Sequence, residues 1–127
     1  MKSAYLGIKY YADNSNKALI EQLSAALEIA GYRSFCVARD LEQWGNVSLT
    51  PQKMMSLTFE QIKQADIVVL DMSEKGVGLG IEGGYAKALG KKLIITLDSK
   101  FELSTTMQGI ADTVLVYDDA TNIKFPV

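Results

Sequence analysis

Apolar and polar residues follow two rhythms along this chain, and the rhythms alternate. Ser3–Tyr10, "SAYLGIKY", reads as a first strand. In "DNSNKALIEQLSAALEIAGY", polar capping residues precede Leu19, Leu23 and Leu27, whose i, i+4 spacing predicts an amphipathic helix closed by Gly31. "RSFCVA" predicts a second strand, followed by a long polar segment from Arg39 to Leu49 that contains Trp44 and Gly45. Pro51 suits the first turn of a helix running to about Gln64. The unbroken run "DIVVLDM", Asp66–Met72, has the mark of a strand buried on both faces of a parallel sheet. A helix is expected over Ile81–Leu89, with Gly90 as its stop. "KKLIITL" and "DTVLVYD" read as strands joined by a short helix near Thr105–Ile110. The tail "ATNIKFPV" carries Ile123, Phe125 and Val127, enough apolar surface to pack against the body.

Strands alternating with helices imply a parallel sheet covered on both faces. For five strands the expected order is 2-1-3-4-5. Strands one and three then flank the point where chain direction switches, and ligands in such sheets bind at the carboxyl ends of the strands there. The stretch Ser73–Gly80 leaves the carboxyl end of strand three, at that point. The chain shows no repeats or low-complexity stretch and reads as one domain over residues 1–127.

Composition narrows the chemistry. With 48% hydrophobic and 22% charged residues and a net charge of −2, the chain is globular and has no basic footprint for nucleic acid. No apolar run approaches the ~20 residues that span a bilayer, and "MKSAYLGIKYY" does not read as a signal peptide. The single cysteine, Cys36, excludes an internal disulfide and points to a cytoplasmic protein. Its setting, "YRSFCVA", suits a small buried apolar residue. Histidine is absent, so Ser-His-Asp and Cys-His catalysis and His-ligated metals are excluded. No cofactor is expected, and acid–base or nucleophilic work falls to carboxylates, tyrosines, lysines or hydroxyls.

The most distinctive stretch is "DMSEKGVGLGIEGGYAKALGKKLIIT", in which Gly76, Gly78 and Gly80 run into the expected helix and Glu82 stands at the junction. Glycines let backbone N–H groups approach a ligand. A helix N-terminus favours anions and an ionised carboxylate. The same features also arise from packing and dipole effects alone. This is not the dinucleotide fingerprint, which belongs after strand one.

The string "GVGLGIEGGYAKALGKKLI" resembles the nucleoside 2-deoxyribosyltransferase family and its relatives, the 2'-deoxynucleoside 5'-monophosphate N-glycosidases. In that family a G-x-G-x-E-x-G-Y-A type run carries the catalytic glutamate and follows a strand of the "ADIVVLDMS" kind, here Ala65–Ser73. "AYLG" is similar to the family's opening Y-F-G, which puts Tyr5 on the active-site tyrosine and Gly7 beside it. The resemblance follows most of the chain in order of elements and is sharp over about Ala65–Ile95 and at Tyr5. It implies a flavodoxin-like, Rossmann-like three-layer sandwich. It also implies cleavage or transfer at the N-glycosidic bond of a nucleoside or nucleotide through Glu82 and a glycosyl-enzyme. Tyr5 would orient the carboxylate, which the expected helix N-terminus would help keep ionised. A carboxylate nucleophile suits an oxocarbenium-like transition state.

Three further family positions fall on Thr58, Gly76 and Ser104, and the first two depart from the family pattern. The family's base-handling aspartate falls on Thr58, in "SLTFEQIKQAD"; Glu60 is roughly 200° away around the helix at ~100° per residue. The phosphate-contacting serine of the monophosphate branch, and the aspartate of the transferase branch, fall on Gly76. In "LSTTMQGIAD", Ser104 matches a serine that the monophosphate glycosidases contribute from a neighbouring subunit, which implies a homodimer or larger homo-oligomer with a shared site; as a helix cap it needs no function. Asp40, in "VARDLEQWG", is a candidate replacement acid. Trp44 can stack on a base or pack locally, and Asp71, at the end of a buried strand, is a further candidate contact. The partner expected is a small-molecule nucleoside or nucleotide, with no nucleic acid and no membrane. Two alternatives remain open, a nucleotide-binding module that keeps the pocket without turnover and a nicotinamide-nucleotide hydrolase.

Overall fold

A computed structural model describes residues 1–126, so Val127 of the expected packing tail lies outside the described residues. Five parallel strands form one sheet in the order β2-β1-β3-β4-β5: β1 Lys2–Gly7, β2 Tyr32–Phe35, β3 Ile67–Asp71, β4 Lys92–Asp98 and β5 Thr113–Tyr117. The helices are α1 Lys17–Ile29, α2 Pro51–Gln64, α3 Val77–Ala88 and α4 Thr105–Ile110. This is the expected flavodoxin-like α/β fold. Among the described residues, no helix is long and apolar enough to cross a membrane.

Side chains alternate across a strand, so each face of the sheet builds its own core. Ala4, Leu6, Ile67, Val69 and Ile94 pack on one face beneath α1, whose Ile20, Leu23 and Leu27 are fully buried; Phe125 of the tail joins them. Tyr5, Val68, Leu70, Leu93 and Ile95 face the other way, with Ile62 of α2, Leu79 and Ala86 of α3, and Met107 of α4. All five β3 residues are buried, as the continuous apolar run requires. The period-two alternation places Tyr5 and Asp71 on opposite faces: Tyr5 registers with Val68, and Asp71 lies an odd number of residues further on.

Four boundaries differ from the sequence pattern, each for a local reason. β1 stops at Gly7, because Ile8 and Tyr10 turn out of the sheet to line a cavity. Asn16 stands at the N-cap of α1 without capping it; its side chain donates to the Lys9 carbonyl and accepts from the Tyr11 N–H, pinning the β1–α1 loop. β2 ends at Phe35, where Asp40 accepts the Cys36 N–H at 2.9 Å and Val37–Leu41 wind into a single wide helical turn. The fourth difference affects the site most: α3 begins at Val77, four residues before Ile81. Gly76 is its extended N-cap, and the Gly80 N–H reaches the Gly76 carbonyl. Burial of Leu79 and contact with α4 outweigh the poor helix propensity of the glycines. Gly83 permits that contact, since a Cβ there would stand 3.0 Å from Met107 Cε.

Candidate active site

The earlier start of α3 removes Glu82 from the helix terminus. It is the sixth helical residue, in the second turn, where the dipole's influence has largely decayed. The expectation that a helix N-terminus keeps this carboxylate ionised is therefore corrected. Glu82 is buried, and burial pushes its pKa up to about 7, with the Tyr5 hydrogen bond pulling the other way.

Tyr5 and Glu82 meet across 77 residues of chain, the Tyr5 hydroxyl donating to Glu82 Oε1 in a short buried hydrogen bond. The central strand β1 supplies the tyrosine and α3 the glutamate. Phe35, its neighbour on β2, stacks on the Tyr5 ring with centroids 6.2 Å apart. Burial, and then the Glu82 charge, raise the Tyr5 pKa far above the ordinary phenol value, so the hydroxyl keeps its proton and remains a donor. Tyr5 thus occupies Oε1 and leaves Oε2 free.

Two glycines make room for this carboxylate. A Cβ on Gly7 would sit 2.5 Å from Leu70 Cδ2 and 3.0 Å from Glu82 Oε1. One on Gly78 would stand 3.5 Å from Oε2. Both glycines line the cavity onto which the pair opens, at the carboxyl end of β1. The cavity is about 570 Å³, within the ordinary range for small-molecule sites. Its lining also includes Val37, Ala38, Glu42 and Trp44 of the segment after β2, and Met54, Met55 and Thr58 of α2.

The structure brings some of the sequence candidates together and separates others. Tyr5, Gly7, Thr58, Gly78 and Glu82 share the cavity. Thr58 is buried, with its hydroxyl beside that of Tyr5. Asp40 is turned away: its carboxylate holds the Cys36 N–H and pairs with Arg39 at 2.9 Å. Asp71 lies on the opposite face, buried, accepting from Thr96 Oγ1 at 2.8 Å, the Tyr117 hydroxyl at 2.7 Å and the Ser73 N–H at 3.1 Å. Gly76 and Gly80 lie outside the cavity lining, and Ser104 caps α4 by accepting the Met107 N–H at 3.2 Å. Cys36 is buried, just past β2, and burial raises its thiol pKa.

Trp44 packs locally, 5.9 Å from the Tyr10 ring and with Lys17 Nζ 4.7 Å from its centroid, and it also lines the cavity. Tyr10 and Glu42 are wall residues that the sequence reading did not single out. Tyr10 reads as the end of the first strand, and Glu42, between Asp40 and Trp44, carries no motif of its own. Among the described residues, no group of three or more His, Cys, Asp or Glu side chains is placed to hold a metal ion.

Fold and site together define a small flavodoxin-like α/β domain with a buried tyrosine–glutamate pair opening onto a cavity at the switch point. No protein-family model matches the chain, and no curated protein matches its sequence. Solved structures do. A CMP N-glycosidase, BcmB, from Clostridium botulinum is 24% identical over 94% of this chain and 91% of its own, with a TM-score of 0.66. A 2-deoxyribosyltransferase from Bacillus psychrosaccharolyticus is 17% identical over 97% and 93% of the two chains, with a TM-score of 0.71. One from Leishmania mexicana is 20% identical, covering 76% of this chain and 65% of its own, with a TM-score of 0.59. This chain shares the fold of these N-glycosidase and deoxyribosyltransferase enzymes.

Proposed function

We propose that this chain belongs to the nucleoside 2-deoxyribosyltransferase family and breaks the N-glycosidic bond of a nucleoside or nucleoside 5'-monophosphate, with Glu82 as nucleophile. The observation that carries this reading is the buried Tyr5–Glu82 pair facing a cavity of nucleoside size, on a fold shared with N-glycosidic enzymes.

Ionised Glu82 attacks the anomeric carbon through Oε2 while the Tyr5 bond fixes Oε1. The bond from that carbon to the base nitrogen breaks, its electron pair leaves with the base, and a glycosyl ester forms on Glu82. Water or a second base then attacks the same carbon and releases the carboxylate. Tyr5 matters most as charge leaves the carboxylate and returns, because a fixed donor costs no reorganisation during the reaction. Ser104 lies outside the cavity of its own chain. In this reading it reaches a phosphate in the site of a second copy, so the active form is a homo-oligomer.

One observation favours a second reading, a binding module without turnover. Thr58, a buried hydroxyl, stands where the family has an acid, and a hydroxyl does not protonate a leaving base. A chromatographic assay for free base separates the two. Wild type and Glu82→Gln are incubated with deoxynucleosides, their 5'-monophosphates and the ribose counterparts. Base released by the wild type and not by a folded Glu82→Gln variant is the expected result. Equal release from both would overturn the mechanism, and saturable binding with no release would establish the second reading.

A further inference from the structure

Two carboxylates line the cavity, and only one of them has a partner. Glu82 is held by Tyr5. Glu42, half-buried in the same lining, forms no side-chain hydrogen bond or ion pair among the described residues. Its backbone, by contrast, is fixed. The Glu42 N–H bonds the Val37 carbonyl at 2.9 Å, and its own carbonyl accepts from Gly45 at 3.0 Å and Val47 at 2.9 Å. Asp40, two residues earlier, is committed to Arg39 and Cys36 and cannot serve in its place.

The same cavity lining includes a second unsatisfied group, on Tyr10. The Tyr10 hydroxyl is buried and has no hydrogen-bond partner, while its ring packs on Trp44. A carboxylate is an acceptor on both oxygens, whereas a tyrosine hydroxyl also donates. An acceptor next to a donor complements an aromatic ring edge bearing an amino group beside an unprotonated ring nitrogen. Cytosine and adenine present that edge; uracil and hypoxanthine present the reverse, a carbonyl beside a ring N–H. A carbonyl oxygen facing Glu42 would oppose it, acceptor against acceptor.

We propose that Glu42 reads the leaving base and selects bases that carry an exocyclic amino group over their oxo counterparts, with Tyr10 as the complementary donor. This rests on the reading of the cavity as an N-glycosidic site, and it assigns the base to the part of the cavity lined by Glu42 and Tyr10.

Trp44 is the only tryptophan, so its fluorescence reports ligand in the cavity without requiring turnover. Titrations of Glu82→Gln with dCMP and dUMP, and with dAMP and dIMP, should favour the amino member of each pair by roughly tenfold to a hundredfold. Adding Glu42→Gln, whose amide can donate to a carbonyl, should erase or reverse that ratio, and Glu42→Ala should flatten it. The same ratios are then read as kcat/KM for base release in the Glu82 background. A ratio unchanged by both Glu42 substitutions, an initial preference for the oxo bases, or no binding of any of the four would overturn the proposal. Absence of base release from every substrate, with the binding ratio intact and sensitive to Glu42, would overturn the enzymatic reading while leaving Glu42 as the base reader.

Discussion

Glu82 illustrates how far a single environment can move a side chain from its ordinary behaviour. With a folded-state pKa of about 7 against an ordinary value of 4.5, the native state holds this proton more tightly than the unfolded chain does. The associated stability is complete below about pH 4.5 and is lost as pH rises through about 7. Glu82→Gln should abolish that slope and be the more stable protein above pH 7, by on the order of 3 kcal/mol. Denaturation midpoints of both proteins from pH 5 to 9 would measure it. The proposed mechanism has the opposite preference, since its nucleophile must be ionised: base release should rise with pH through about 7. Tyr5→Phe removes the one interaction that lowers this pKa. Its pH–rate limb should therefore move to higher pH, with a loss in kcat of about tenfold or more from a missing charge-assisted hydrogen bond; an unmoved limb would show that Tyr5 does not tune Glu82. Glu82 was legible in the sequence from the G-x-G-x-E run, and Tyr5 from the opening "AYLG". The elevated pKa of Glu82 was not, because burial depends on where α3 begins.

At the scale of the element, α3 separates the glycines by what they face. Gly78 and Gly80 are both helical, and alanine at either should raise helix stability by roughly 0.5–1 kcal/mol. Around Gly80 nothing stands within 4 Å of an added Cβ, whereas at Gly78 the methyl would sit beside Glu82 Oε2. Gly80→Ala should thus gain stability at unchanged activity, while Gly78→Ala gains stability and loses base release at least tenfold. Equal activity in the two would remove Gly78 from the site. The sequence pattern treated Gly76, Gly78 and Gly80 alike because their spacing is even. Once the helix winds at 3.6 residues per turn, two residues of separation place them on different faces. The elements themselves were legible wherever long-range burial and local signals agreed, as in α2 with Pro51 at its first turn. They were misread where glycine propensity or an Asp40 side chain set the boundary.

Over the whole molecule, the sheet acts as a partition. Glu82 lies on one face, and the Asp71–Thr96–Tyr117 network ties the ends of β3, β4 and β5 on the other. Asp71→Asn would turn an amide N–H toward the Ser73 N–H and should cost about 1–3 kcal/mol in stability. It should leave kcat/KM for base release within about twofold, since the sheet lies between the network and the cavity. A large loss of kcat/KM at full stability would instead place Asp71 in the site. Strand alternation already held the clue: with β1 and β3 neighbours in register, Tyr5 and Asp71 must fall on opposite faces.

The distance along the chain between Tyr5 and Glu82 also sets a schedule. β1 is made first, yet its central neighbour β3 and the glutamate arrive only after α1, β2 and α2. At about 5–20 residues per second on the ribosome, the 77 residues between tyrosine and glutamate take roughly 4–15 s to synthesise. Until β3 is made, one edge of β1 is open to whatever strand comes near. A newborn chain therefore passes through its most adhesive state before the bond between Tyr5 and Glu82 can form.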